Sequence, residues 1–102
     1  MNRGEVWWVD LPAETRPYLI LTRQTAVPLL ERVLAVSATT TIRGIPTEVP
    51  LDRADGMPKE CVLSLDNLDL VARSRFRQRI CGLRAEKMQE VCAALSRAVE
   101  CS

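Results

Sequence analysis

The chain has 102 residues, 47% of them apolar and 26% charged, with a formal net charge of +1. That length supports one hydrophobic core and a single domain over residues 1–102, and the composition excludes a disordered or fibrous chain. No run approaches the roughly 18 consecutive apolar residues of a membrane span. The opening Met1-Asn2-Arg3-Gly4-Glu5-Val6 lacks the apolar stretch of a secretory signal, so a cytoplasmic protein without membrane association is expected.

Histidine is absent, which removes the commonest general acid/base and the commonest metal ligand. Cys61, Cys81, Cys92 and Cys101 contain no Cys-x-x-Cys pair and read as free thiols, so no metal and no cofactor are expected. Catalysis, if any, falls to carboxylates, Arg, Lys, Tyr, Thr, Ser or Cys. The small net charge does not by itself mark a nucleic-acid binder. Arg73, Arg75, Arg77, Arg79 and Arg84, however, share a stretch without a single acid. Two readings of that stretch stand, a solvated basic edge and a phosphate-facing strand.

Taken in chain order, Glu5 to Leu11 reads as a strand that buries Val6 and Trp8, with Trp7 a further candidate, ended by Pro12. Neighbouring strand residues face opposite sides, so one tryptophan is expected in the core and the other in an interface or against a base. Pro12 to Arg16 forms a tight loop, and Pro17 to Thr22 a second strand. Thr25 to Glu31 suits a helical turn, and Arg32 to Thr39 a third strand. Thr40 to Pro46 reads as a mobile connection, followed by a half-exposed edge strand over Thr47 to Leu51 that tolerates Pro50. Asp52 to Lys59 is a turn region. Cys61 to Leu65 and Leu68 to Ala72 give one or two strands interrupted near Asp66-Asn67, and Ile80 to Leu83 a last short one. Met88, Val91, Cys92, Leu95 and Val99 recur at helical spacing, predicting an amphipathic helix from Arg84 to Glu100 whose apolar stripe faces the core. The fold class is therefore mainly β (α+β), a small barrel of bent antiparallel strands closed by a C-terminal helix.

The order of short motifs carries more than any one of them. Arg3-Gly4-Glu5-Val6-Trp7 opens the first strand and Arg16-Pro17 the second, and the third strand ends in a Thr-rich turn. Asp66-Asn67 follows an apolar run, and Arg73-Ser74-Arg75-Phe76 precedes Ile80-Cys81-Gly82-Leu83 and the helix. Over nearly its whole length the chain resembles the MazF/PemK family of toxin–antitoxin toxins. The resemblance implies an SH3-like barrel that forms a homodimer, cleaves single-stranded RNA at short motifs and is neutralised by a cognate antitoxin lying in the RNA groove. Carried over by position, the catalytic arginine of the family's Arg-Pro motif corresponds to Arg16. Its threonine corresponds to Thr39, flanked by Ser37, Ala38 and Thr40, and its Glu-Gln pair to Asp66-Asn67. Thr40, Thr41, Arg43, Asn67 and Arg73 are the expected RNA contacts. Three departures stand out: the loop before Arg16 is cut to Pro12-Ala13-Glu14-Thr15, Ser37 replaces a proline, and Asp69 stands where a basic residue is usual.

RNA cleavage without a metal uses the ribose 2′-hydroxyl as nucleophile. A guanidinium at Arg16 suits the pentacoordinate phosphate, because it stays charged and holds two oxygens at once. The Thr39 hydroxyl can donate to the same phosphate. Arginine is a poor proton acceptor, so Glu14 or Asp66, or a water they orient, is the expected base. Taken alone, Arg16 is an ordinary charge before a strand, Thr39 a turn hydroxyl, and Asp66-Asn67 a self-satisfied turn. Two other functions fit the same barrel: a non-enzymatic toxin of the CcdB type that poisons DNA gyrase, and an adaptor with a degenerate site.

Overall fold

A computed structural model describes residues 1–100. Six strands, β1 (Glu5–Asp10), β2 (Thr15–Ile20), β3 (Arg32–Thr39), β4 (Glu48–Leu51), β5 (Cys61–Ala72) and β6 (Phe76–Gly82), form one curled antiparallel sheet in the order β4-β5-β3-β2-β1-β6. A single helix, α1 (Ala85–Val99), packs across it. Among the described residues no helix is long and apolar enough to cross a membrane.

Strand β1 departs from simple alternation. Val6 and Val9 are fully buried and both tryptophans only half-buried, so neither Trp8 nor Trp7 takes the expected core position. Register shifts against β6, between Val6 and Trp7 and again between Trp8 and Val9, accompany this pattern. The sheet consequently buries apolar side chains on both faces. Val6, Leu19, Val36, Leu63 and Leu65 form the larger core beneath α1, while Val9, Tyr18, Ala35 and Val71 form a smaller one. Trp7 sits edge-on to Phe76, with ring centroids 6.5 Å apart.

The β1–β2 loop is tighter than expected. Thr15 and Arg16 already belong to β2, and the Leu11 N–H donates to the Glu14 carbonyl at 2.8 Å. The 23–30 segment turns helically without becoming a helix, with the Val27 and Leu30 N–H groups donating to the Arg23 and Ala26 carbonyls. Strand β5 runs unbroken through Asp66-Asn67, but its register against β3 jumps there: Val36 pairs with Leu68, whereas Ala38 pairs with Leu63. The extra residues are absorbed in a bulge that bends the sheet and leaves Asp66 and Asn67 exposed. Strand β6 begins at Phe76, four residues before the expected Ile80.

The buried stripe of α1 is rotated from the expected one. Val91 and Ala94 are buried, with Met88, Leu95 and Ala98 packed beside them, whereas Cys92 and Val99 face outward. Alanine at 94 and 98 lets the helix approach the sheet closely. Cys61 and Cys81 are buried free thiols and Cys92 an exposed one, while Cys101 lies outside the described residues.

The 52–60 segment is firmly built. The Asp52 carboxylate accepts the Ala54 N–H at 2.8 Å and Asp55 accepts the Asp52 N–H at 3.0 Å, a reciprocal cap on a short 3₁₀ turn. Lys87 of α1 reaches Asp55 at 3.9 Å. Gly56 then adopts φ = 100°, where a Cβ would lie 2.6 Å from Cys81 Cβ. Gly56→Ala is therefore expected to cost about 2 kcal/mol or more, because strain and overpacking add, measurable as a lowered urea midpoint.

A second prediction follows from Glu5. Burial pushes its carboxyl pKa up, but hydrogen bonds from Arg79, Trp7 and the Asn2 N–H outweigh burial and hold it below the ordinary carboxylate value. A depressed folded-state pKa contributes stability that is present above the unfolded-state value and lost as pH falls through the folded one. Glu5→Gln should cost about 1 kcal/mol near pH 7, and the gap to the parent should close on acidification in paired urea melts.

Candidate active site

The cleft arises where one pairing stops. Trp8 faces Pro17 and Val9 faces Arg16 across β1–β2, but the β2–β3 ladder covers only Tyr18–Ile20 opposite Ala35–Ser37. Pro17 has no N–H to extend that ladder, and beyond it the outer ends of β2 and β3 border an opening. Two residues out from the Tyr18/Ser37 pair lie Arg16 and Thr39, on the strand faces that Tyr18 and Ser37 share. On the far side of β3, Thr39 pairs with Val62, which brings the Met57–Cys61 segment alongside.

Two clefts result, and Arg16 and Thr39 line both. The first, of about 280 Å³, has Trp8, Pro17, Met57, Pro58 and Cys61 as apolar walls, with Glu14, Thr40 and Lys59 at its margin. The second, of about 230 Å³, is polar: Ser37, Thr41, Arg43, Glu48, Ser64 and Asn67 complete it. Its floor crosses the sheet, since Ser64 of β5 pairs with Glu48 of β4, and Ser37 and Ser64 are themselves buried.

Arg16 is half-exposed and its Nη2 donates to both Glu14 oxygens, at 3.1 and 3.3 Å. Such an exposed pair contributes little to stability and mainly fixes where the guanidinium lies. The Thr39 hydroxyl oxygen accepts the Thr41 N–H at 3.2 Å, which leaves its hydrogen free to donate to a substrate oxygen. The Thr40–Pro46 connection, expected to be mobile, is tethered. Its Arg43 and Gly44 N–H groups donate to the Glu48 carboxylate at 2.9–3.3 Å, and Arg97 of α1 reaches the Pro46 carbonyl at 3.2 Å.

The expected residues divide accordingly. Arg16, Thr39, Glu14 and Thr40 meet in the first cleft, and Thr41, Arg43 and Asn67 in the second. Asp66 lines neither. Its carboxylate accepts the Thr47 hydroxyl at 2.6 Å, on the outer side of the β5 bulge. Arg73 is also misplaced by sequence reasoning, because it follows Ala72, the partner of Arg32. It therefore sits at the other end of β3 from Thr39, about 20 Å along the strand, where its guanidinium donates to the Val27 carbonyl. Arg75 and Arg77 bind the Asp10 carbonyl and carboxylate, and Arg79 binds Glu5 at 2.7 Å. Most of the basic run thus ties β6 to β1.

Sequence reasoning missed Lys59, Glu48 and Ser64. A turn and an alternating strand carried no local mark of a site, and only the pairing of β5 with β3 and β4 brings them to it. Burial pushes the Cys61 thiol up, with Cys81 and Asp55 adding to the effect, so it stays a neutral thiol rather than a nucleophilic thiolate. Burial followed by Asp69 raises the Tyr18 phenol likewise. Glu14 is the carboxylate that touches Arg16.

Residues 2–99 match the family described as PemK-like, MazF-like toxin of type II toxin–antitoxin system. The chain belongs to the PemK/MazF toxin family. It is 40% identical to the probable endoribonuclease MazF5 of Mycobacterium tuberculosis, covering 98% of this chain and 94% of that relative. It is 34% identical to the probable endoribonuclease MazF2 of the same organism, over 99% and 100%. Among solved structures, the M. tuberculosis toxin MazF-mt6 superimposes with a TM-score of 0.89 at 32% identity, covering 96% of this chain and 98% of that one. A mycobacterial endoribonuclease in complex with its cognate antitoxin gives 0.92 at 25% identity, over 100% and 97%. The curled sheet and C-terminal helix are therefore the family's fold, and the gyrase-poisoning alternative is not favoured by these matches.

Proposed function

We propose that this chain is the toxin of a type II toxin–antitoxin pair and acts as an endoribonuclease on single-stranded RNA, cutting at a short sequence motif without a metal. One observation carries the reading: Arg16 and Thr39 stand together at the junction of two clefts, so a strand passing from one to the other lays a phosphate against both.

In this mechanism the 2′-oxygen attacks the adjacent phosphorus and the bond from phosphorus to the 5′-oxygen breaks, leaving a 2′,3′-cyclic phosphate and a 5′-hydroxyl. Arg16 stabilises the equatorial oxygens, where charge accumulates, and the Thr39 hydroxyl donates to one of them. Glu14, whose carboxylate already touches the guanidinium at 3.1 Å, takes the 2′ proton directly or through a water. Water protonates the leaving oxygen. Thr41, Arg43, Ser64 and Asn67 supply the donors and acceptors that a base edge can pair with.

Two partners follow in the same reading, a cognate antitoxin that occupies the RNA groove and a second copy of the chain. Among the exposed large apolar side chains, Leu29 at 81% and Leu70 at 59% accessible are the candidates for the contact surface of that second copy. Light scattering should give twice the monomer mass for the parent and a monomer for Leu70→Glu, whereas a monomeric parent would refute the dimer.

Purified protein should cut single-stranded RNA, and Arg16→Ala should lower the rate by at least ~100-fold, the scale of losing an oxyanion donor. A deoxyribose at the cut position should stop the reaction. Glu14→Gln should lower kcat by roughly 100-fold as loss of a general base does, with Asp66→Asn within about threefold of the parent. Cleavage that survives Arg16→Ala would overturn the assignment, and the opposite order for the two carboxylates would move the base to Asp66.

A further inference from the structure

We infer that Lys59, carried on the rigid Gly56–Lys59 turn, is a substrate-binding residue that holds the phosphate of the nucleotide next to the cut. With Trp8, Pro17, Met57 and Pro58 it forms a subsite that accepts any base. The inference rests on the RNA-cleaving reading above and assigns the two clefts different tasks.

Charge is the first argument. Arg16 is already paired with Glu14, Arg77 with Asp10, Arg79 with Glu5, and Lys87 with Asp55 and Glu90. Lys59 is exposed, lines the first cleft, and makes no ion pair or side-chain hydrogen bond among the described residues. Its ammonium is the cation in that cleft that a second phosphate can take without displacing a carboxylate.

Placement is the second. Pro58 fixes the backbone just before Lys59, Met57 is buried beneath, and Gly56 leaves no room for a Cβ beside Cys81. The reciprocal Asp52/Asp55 cap and the Lys87 contact hold the far end of the turn. A phosphate ligand on such a segment arrives pre-positioned, which lowers the ordering cost of binding.

The contrast between the clefts is the third. The polar cleft offers Ser37, Ser64, Asn67 and Arg43 to base edges, whereas the first sets an indole, two prolines and a thioether opposite a polar margin of Glu14, Thr15 and Thr40. At about 280 Å³ it lies just below the roughly 300–1,000 Å³ of small-ligand sites, which suits one nucleotide. Apolar and aromatic surfaces hold a base by its face, and every base has one. Sequence choice then belongs to the polar cleft, and Lys59 contributes equally to all sequences.

The test uses the full chain and a fluorescein-labelled pool of random-sequence 2′-deoxy dodecamers, which bind without being cut, read by anisotropy across a salt series. Lys59→Met, which keeps the apolar stem, should weaken binding roughly 3- to 10-fold and reduce the slope of log affinity against log salt by about 0.7, the single-strand value for one lost phosphate contact. Lys59→Arg should restore both. Sequencing the 5′ ends of RNA fragments should return the same cleavage motif for the parent and Lys59→Met. Unchanged affinity and slope would overturn the phosphate role, and an altered motif would overturn base tolerance. If the parent cuts no RNA, the enzymatic reading fails by itself, while the anisotropy series still decides whether Lys59 anchors a strand.

Discussion

The backbone pairing of β3 is the constraint on which the site depends. One edge of this strand is bonded to β2 only from Tyr18 inward, and the other is bonded to β5 out to Thr39 itself. Those two ladders decide that Arg16, Thr39 and the turn before Cys61, far apart in sequence, border one opening. Because side chains alternate along a strand, a slip of one residue in the β2–β3 ladder would put Arg16 and Thr39 on opposite faces of the sheet. The buried Leu19, Val36 and Leu63 oppose such a slip, since each would leave its place in the larger core beneath α1. Packing and chemistry are thereby secured by the same hydrogen bonds.

Electrostatics are arranged around the same frame. A net charge near zero conceals a division of labour in which Glu5 and Asp10 on β1 satisfy the arginines of β6 and Glu48 satisfies loop N–H groups. Arg16, Arg43 and Lys59 line the clefts together with Glu14, which is held by Arg16, and Glu48, which is held by loop N–H groups. This answers the question left by the basic run from Arg73 to Arg84: most of it is spent holding the sheet edge together.

Much of the fold was legible because its signals are local. The Arg-Pro pair opening β2, the β-branched run of β3 and the helical spacing after Arg84 each announce an element through period or backbone chemistry. Assignments that depended on distant partners fared differently. Trp8 looked like core until the shifted register with β6 let Val6 and Val9 both go inward. Cys92 and Val99 fit a helical stripe, but the surface that α1 meets selects the face bearing Ala94 and Ala98. At the site, the order of motifs located Arg16, Thr39, Asp66 and Arg73 alike, and of these the sheet pairing carries Arg16 and Thr39 to the clefts and leaves Asp66 and Arg73 outside both. Lys59 and Ser64 were invisible for the converse reason, since nothing near them in the chain marks a groove and only the sheet pairing builds one.

The bulge in β5 has a consequence for how such a protein can change over generations. It lies immediately beyond the Leu63 and Val62 pairs that fix Ala38 and Thr39, and it carries Asn67 into the polar cleft. A residue gained or lost there is absorbed locally, redrawing the wall of the polar cleft while the pairs that place Thr39 stay in register. On the RNA-cleaving reading proposed above, the wall that meets a base and the strand ends that meet the phosphate can thus change separately, and a lineage can acquire a new target sequence without first losing the ability to cut.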